Sequence, residues 1–279
     1  MDREKLYALV KRSPELVDRH DREGWLGLFS TESVVEDPVG GGLNRKGKDW
    51  RGDRDGLSRF YDIFIAPNDI KFTVNQDIMM GNEVVRDVLI RTRLPNGAVS
   101  EVAAYLIYRG VEDGGEVKLA SLQAHWDFKG NALSLLRSNG MKGIVASTGQ
   151  FWSMLRIQGL KRVMEYLEAM HKGIFKKGVA AVNSFAAAVN AGDEATLARL
   201  CESDARIEFS AGKRMPASDF VKREGKGLRL EVSGLRSAGW YTSCTFDTQG
   251  GGVHRHGVAF FQFNPRTKKI VLVRFFGEG

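Results

Sequence analysis

The apolar positions of this chain change period along its length. In residues 2–30 they recur at helical spacing, first Leu6, Leu9 and Val10, then Leu16 and Val17, then Trp25, Leu26, Leu28 and Phe29. This predicts a helix, a further helical stretch opened by Pro14 with Ser13 as N-cap, and a short helix after a turn at residues 21–24. Residues 34–37 read as a strand that Pro38 ends. A loop rich in glycine and charge runs to about residue 55, and residues 57–64 return to helical spacing before Pro67. From residue 69 onward the pattern is strand, over 70–76, 83–93, 99–109 and 117–128. The separators Gly81-Asn82, Pro95-Asn96-Gly97 and Gly114-Gly115 tolerate positive φ and predict hairpin turns. Helices first and a strand meander after them predict the α+β class, with helices packed on one face of a curved antiparallel sheet.

Residues 131–177 interrupt this order. Leu133, Leu135 and Leu136, and then an apolar series from Phe151 to Leu167, predict helices that connect two domains and carry enough apolar surface to dock on something. The first pattern then returns. Setting Glu36 on Glu208 matches residues 16–40 with 188–212 without gaps. Five pairs are identical: Val17/Val189, Asp21/Asp193, Leu28/Leu200, Glu36/Glu208 and Gly40/Gly212. Strand patterns follow again at 228–232, 240–247, 254–263 and 269–276. The expected plan is two tandem cone-shaped domains, 1–130 and 178–279, joined by a helical connector, 131–177.

Composition changes this picture little. With 279 residues and 43% hydrophobic residues, each half can bury a core of its own. The charged start, Met1-Asp2-Arg3-Glu4-Lys5, does not read as a secretory leader, and the apolar runs are too short to span a bilayer. The expectation is a soluble, cytoplasmic protein. Two cysteines, Cys201 in a helical pattern and Cys244 in a strand pattern, exclude a disulfide framework. The net charge of +7 includes a basic run at residues 44–54. Interleaved carboxylates and glycines make that run a solvated loop, and no nucleic-acid motif accompanies it.

The run Val34-Val35-Glu36-Asp37-Pro38-Val39-Gly40 carries the candidate chemistry. Together with Gly24-Trp25-Leu26, Leu28-Phe29, Phe60-Tyr61 and the ending Arg274-Phe275-Phe276-Gly277-Glu278, it resembles the ketosteroid isomerase family. More broadly it resembles the SnoaL-like, nuclear-transport-factor-2-like superfamily. The resemblance covers residues 9–128 moderately and 178–279 weakly. It implies three helices against a curved sheet in each copy, enclosing a pocket. It also implies that Asp37 is a base moving a proton beside a carbonyl, without cofactor or metal. Such a base needs an apolar cavity to raise its pKa, and a donor for the enolate it makes. The family's two donor positions fall here on Ser13 and near Leu106, flanked by Tyr105 and Tyr108, so Tyr61 becomes the expected donor. Val35, Phe29, Trp126 and Leu106 are the expected pocket wall.

The implied activity is cofactor-independent proton transfer on a hydrophobic carbonyl compound of steroid or polyketide type. One alternative is a non-catalytic module that binds a small molecule or a protein. Another is a dehydratase or cyclase using Asp37 and His125, should a bulge turn His125 inward. Phe209 stands where Asp37 would in the second copy, which predicts a structural role there, within an internal pseudo-dimer or a homodimer. His254 and His256 share a strand face, but without an acidic partner they make a weak metal site.

Overall fold

The structure, a computed structural model, describes residues 1–47, 55–209, 214–217, 219–220, 227–250 and 253–278. Most of the basic run at 44–54 therefore lies outside the described residues. The chain forms two compact units, Met1–His171 and Lys172–Gly279, so the helices expected as a connector fall within the first.

The first unit begins with α1 (Arg3–Asp18), capped by the Asp2 carboxylate. It is one continuous helix with Pro14 inside it, so Ser13 is not an N-cap. Proline has no N–H to offer the carbonyl four residues back. That carbonyl, of Val10, instead accepts from the Arg86 guanidinium at 3.3 Å. Arg86 is buried and paired with Asp77 at 2.7 Å, so a strand-borne cation supplies the bond that the proline removed.

There follow α2 (Arg22–Gly27), β1 (Phe29–Glu36), β2 (Asn44–Arg45), α3 (Gly56–Phe60) and a π-helical turn (Tyr61–Ile65). Then come β3 (Asp69–Met80), β4 (Glu83–Arg93), β5 (Val99–Asp113) and β6 (Glu116–His125). The strand order is β2-β1-β6-β5-β4-β3. All pairs are antiparallel except β1 with β6, so the expected antiparallel sheet is a mixed one. A parallel pair needs a long connection, and here the rest of the meander provides it. Register shifts after Val74 and Arg109 mark bulges, which bend a sheet. The strand expected to reach residue 128 stops at His125, because Asp127 caps a new helix by accepting from the Gly130 N–H. That helix, α4 (Phe128–Asn139), leads into α5 (Met141–Gln158) and α6 (Leu160–Glu168).

The second unit repeats the plan with α7 (Phe175–Ala191), α8 (Glu194–Leu200), β7 (Cys201–Phe209) and β8 (Arg214–Pro216). It continues with β9 (Arg229–Ala238), β10 (Tyr241–Gly250), β11 (Val253–Phe263) and β12 (Ile270–Glu278). The strand order β8-β7-β12-β11-β10-β9 reproduces the first sheet, with the parallel pair again between its second and third strands. The turns match bond for bond. The Asp21 N–H donates to Leu16 at 2.9 Å, and the Asp193 N–H to Ala188 at 2.8 Å. The Asp21 and Asp193 carboxylates cap the next helix from Gly24 and Thr196. Between the two helices the chain takes positive φ, at His20 (54°) and at Gly192 (67°). Cys201, placed in a helix by its neighbours, is the buried first residue of β7. No helix among the described residues is long and apolar enough to cross a membrane.

Candidate active site

Strand β1 ends at Glu36, and Asp37, the next residue, continues its alternation by pointing the other way. The Glu36 carboxylate accepts from the Gly40 N–H at 2.9 Å and from the Gln123 amide at 3.2 Å. Asp37 turns the other way, and its Oδ1 accepts from the Trp126 indole N–H at 2.7 Å. Trp126 lies just past the end of β6, beside β1, and Val39 N–H bonds Ala124 C=O at 2.9 Å to hold the two segments in line.

Asp37 opens onto a cavity of about 460 Å³, inside the range usual for small-molecule sites. Its walls are mainly apolar, from Val17, Ile70, Ile90, Leu106 and Leu122 in the sheet-and-helix core. The expected connector forms much of the remainder, through Leu135, Phe151, Met154, Val163 and Tyr166. Those helices are tied down at defined points. Asn139 bonds both N–H and C=O of Val99, and the Asn44 carboxamide accepts from Gln158 and Arg162. Met154 and Val163 pack on Ile63 of the π-helical turn.

The surroundings set the charge of Asp37. Burial raises its pKa to about 6, and the Trp126 hydrogen bond opposes part of that rise. The residue is half-buried by accessible area because it faces the cavity. Protein nevertheless encloses it at the longer range over which desolvation acts, and that is the scale that governs its protonation.

Two tyrosines share the field of Asp37. The Tyr108 hydroxyl is pushed up by burial, pulled down by the Arg86 guanidinium and by a hydrogen bond from Ser13, and pushed up again by Asp77 and Asp37. Tyr166 is pushed up by burial and then by Asp37. Both line the cavity. Tyr166 is held edge-on to Phe128 at 4.7 Å, and Phe128 in turn meets Trp126 at 5.5 Å. Ser13, at the family's donor position, accepts from the Trp25 indole at 3.2 Å, so its own proton is directed at Tyr108.

Of the residues singled out from the sequence, Asp37, Trp126 and Leu106 meet in this cavity. Val35 and Phe29 are fully buried in the adjoining core and do not line it. Tyr61 does not line it either. It lies within an aromatic cluster, 5.6 Å from Trp25, with a buried hydroxyl that has no hydrogen-bond partner among the described residues. The π-helical turn that begins at Tyr61 displaces side-chain directions from those of an α-helix, which helical spacing could not foresee. His125 is buried outside the cavity, paired in register with Tyr105. Tyr108 was visible in the sequence only as a neighbour of Leu106, and Tyr166 was not singled out at all.

In the second unit Phe209 takes the place of Asp37. It stacks on Phe275 at 5.5 Å and 9° and packs on Phe220 at 5.7 Å. Its neighbour Glu208 pairs with Arg214 and Arg274. His256 and His254 both face Asp247, at 2.8 and 3.8 Å, on an exposed part of β10 and β11.

No family model and no curated protein matches the sequence. Solved structures do. A Δ5-3-ketosteroid isomerase from Mycobacterium sp. is 31% identical, over 44% of this chain and 93% of that one, with a TM-score of 0.37. A Mycobacterium tuberculosis protein in complex with estradiol-17beta-hemisuccinate is 24% identical, over 44% and 95%, with a TM-score of 0.38. An epoxide hydrolase/cyclase-like enzyme of pyran ring formation in polyether salinomycin is 16% identical, over 46% and 94%, with a TM-score of 0.38. The chain belongs to the ketosteroid-isomerase-like family, and its two units repeat one α+β plan. Each match spans nearly all of the solved structure and under half of this chain.

Proposed function

We propose that the first unit is a cofactor-independent proton-transfer enzyme acting on a hydrophobic carbonyl compound of steroid or polyketide type. The observation that carries this reading is a carboxylate with a pKa near 6, oriented by an indole N–H, on the wall of a mainly apolar cavity that also holds tyrosine hydroxyls. A base of that pKa is ionised at neutral pH yet basic enough to take a proton from a carbon beside a carbonyl. Asp37 removes the proton and returns it at the conjugated carbon. Tyr108, with Ser13 and Arg86 behind it, donates to the oxygen that becomes negative. Tyr166 offers a second hydroxyl from α6. This pair replaces Tyr61 as the donor expected from the sequence.

The experiment is turnover of a Δ5-3-ketosteroid, followed by the absorbance of the conjugated enone. The intact chain converts it, and Asp37→Asn lowers kcat by about 10²–10⁴-fold while the steroid still binds. Equal turnover by the two proteins overturns the assignment. Steroid binding with no turnover by the intact chain supports the second reading, a non-catalytic binding module. The replacement of the family's two donors by Ser13 and Leu106 favours that second reading.

A further inference from the structure

Helix α5 is apolar around much of its circumference. Met154 is buried against the cavity, and Phe151, which also lines it, stands at the border of the outer face. On that outer face Met141, Ile144, Val145 and Trp152 follow a spacing of three, four and seven. They are 73%, 48%, 55% and 65% exposed. Leu160 and Met164, one turn apart on α6, add two more outward side chains at 64% and 51%. A helix apolar all round is normally covered all round. Here one side is covered by the unit's own core and the other is open.

The charge around this face is mainly positive. Helices α4 to α6 carry Lys129, Arg137, Lys142, Arg156, Lys161 and Arg162 against Glu165 and Glu168, and Glu165 pairs with Arg162 at 2.8 Å. The first five of these are exposed. Lys142 and Arg156 flank the apolar stripe on α5. An outward tryptophan among aliphatic side chains, bordered by an excess of cations, is the composition of a helix that lies in the interface of an anionic bilayer. A second copy of the same face is disfavoured, because a two-fold contact would set this cationic rim against itself.

We infer that the outer face of α5 and α6 is a docking surface for an anionic lipid membrane. Apolar side chains enter the headgroup region, and Lys142 and Arg156 meet lipid phosphates. The inner faces of the same helices wall the cavity, so docking sets the roof of the site against the phase in which an apolar ligand dissolves. The surface stands independently of the chemistry at Asp37, and its test reads no turnover.

The test is co-sedimentation of the full chain with vesicles of phosphatidylcholine alone and of phosphatidylcholine mixed equally with phosphatidylglycerol. Binding to the anionic vesicles should be at least about tenfold tighter and should weaken with salt. The double variant Val145→Glu, Trp152→Glu should reduce it by about tenfold or more, with an unchanged circular dichroism spectrum and melting temperature. Equal binding to both vesicles, no binding to either, or full binding by the double variant overturns the inference. So does a dimer, seen by light scattering, that the double variant dissociates, since a second copy would then cover this face.

Discussion

The two copies share their first two helices, the aspartate cap of the second, their strand order and the place of their one parallel strand pair, yet differ at the end of the first long strand. In the first copy Asp37 faces a cavity, and in the second Phe209 stacks on Phe275 and Phe220. The scaffold therefore does not specify the chemistry. One position decides whether the cone carries a charged group that must be solvated by design or an aromatic ring that completes a core. The first copy also has α4, α5 and α6, which wall its cavity. The outer carboxylate is kept in both copies, but Glu36 meets neutral partners and Glu208 meets two arginines.

Exchanging the two positions breaks this comparison most directly. Asp37→Asn is expected to remove turnover, whereas Phe209→Asp should create none, because the new carboxylate would stand among the rings of Phe220 and Phe275. Phe209→Asp should instead destabilise the second unit by about 2–4 kcal/mol, through lost aromatic contact and an unpaired charge. Differential scanning calorimetry of the full chain checks this, and an unchanged second transition would show that Phe209 is not part of a core.

The next effect follows from the raised pKa of Asp37, from 3.8 to about 6. The fold favours the neutral carboxyl. Its stability contribution is complete below pH 3.8 and is lost as pH rises through about 6. Asp37→Asn should thus be more stable than the parent above pH 6, by at most about 3 kcal/mol, with no gain in acid. In the parent, kcat/KM should climb with pH and level off above an inflection near 6. A flat profile from pH 4 to 8 would detach Asp37 from the reaction.

Smaller effects sharpen which tyrosine acts. Tyr108→Phe should lower kcat by about 10–100-fold with little change in steroid affinity, as expected for an oxyanion donor. Tyr61→Phe should leave turnover unchanged. It should raise stability by up to about 1 kcal/mol, because it removes a buried hydroxyl without a partner. The opposite ranking in the two assays would restore Tyr61 as the donor.

The order of elements was legible because it depends on local period and on turn chemistry. Gly81, Gly97, Gly114 and Gly115 all take positive φ at the turns where their sequence predicts it. The duplication was legible because Asp21 and Asp193 cap equivalent helices and Leu16 and Ala188 accept equivalent bonds, so the shared residues perform shared local tasks. Ser13 was misread for a local reason. Pro14 after a serine is a helix-start signal, and only a guanidinium from β4 shows that the helix runs on.

The site divides along the same line. The candidate base, Asp37, was legible in the sequence, because the run Val35-Glu36-Asp37-Pro38 carries the family resemblance and strand alternation turns Asp37 away from Glu36. Its donor was not. Tyr108 joins Ser13, Arg86 and Asp37 across an α-helix and three strands, and Tyr166 arrives from a segment outside the family pattern. Sequence alone determined that this chain repeats one cone and that Asp37 ends a strand of the first. The tertiary structure decided that Asp37 meets a cavity rather than a filled core, since desolvation and hydrogen-bond reach depend on what packs around a group and not on what precedes it in the chain.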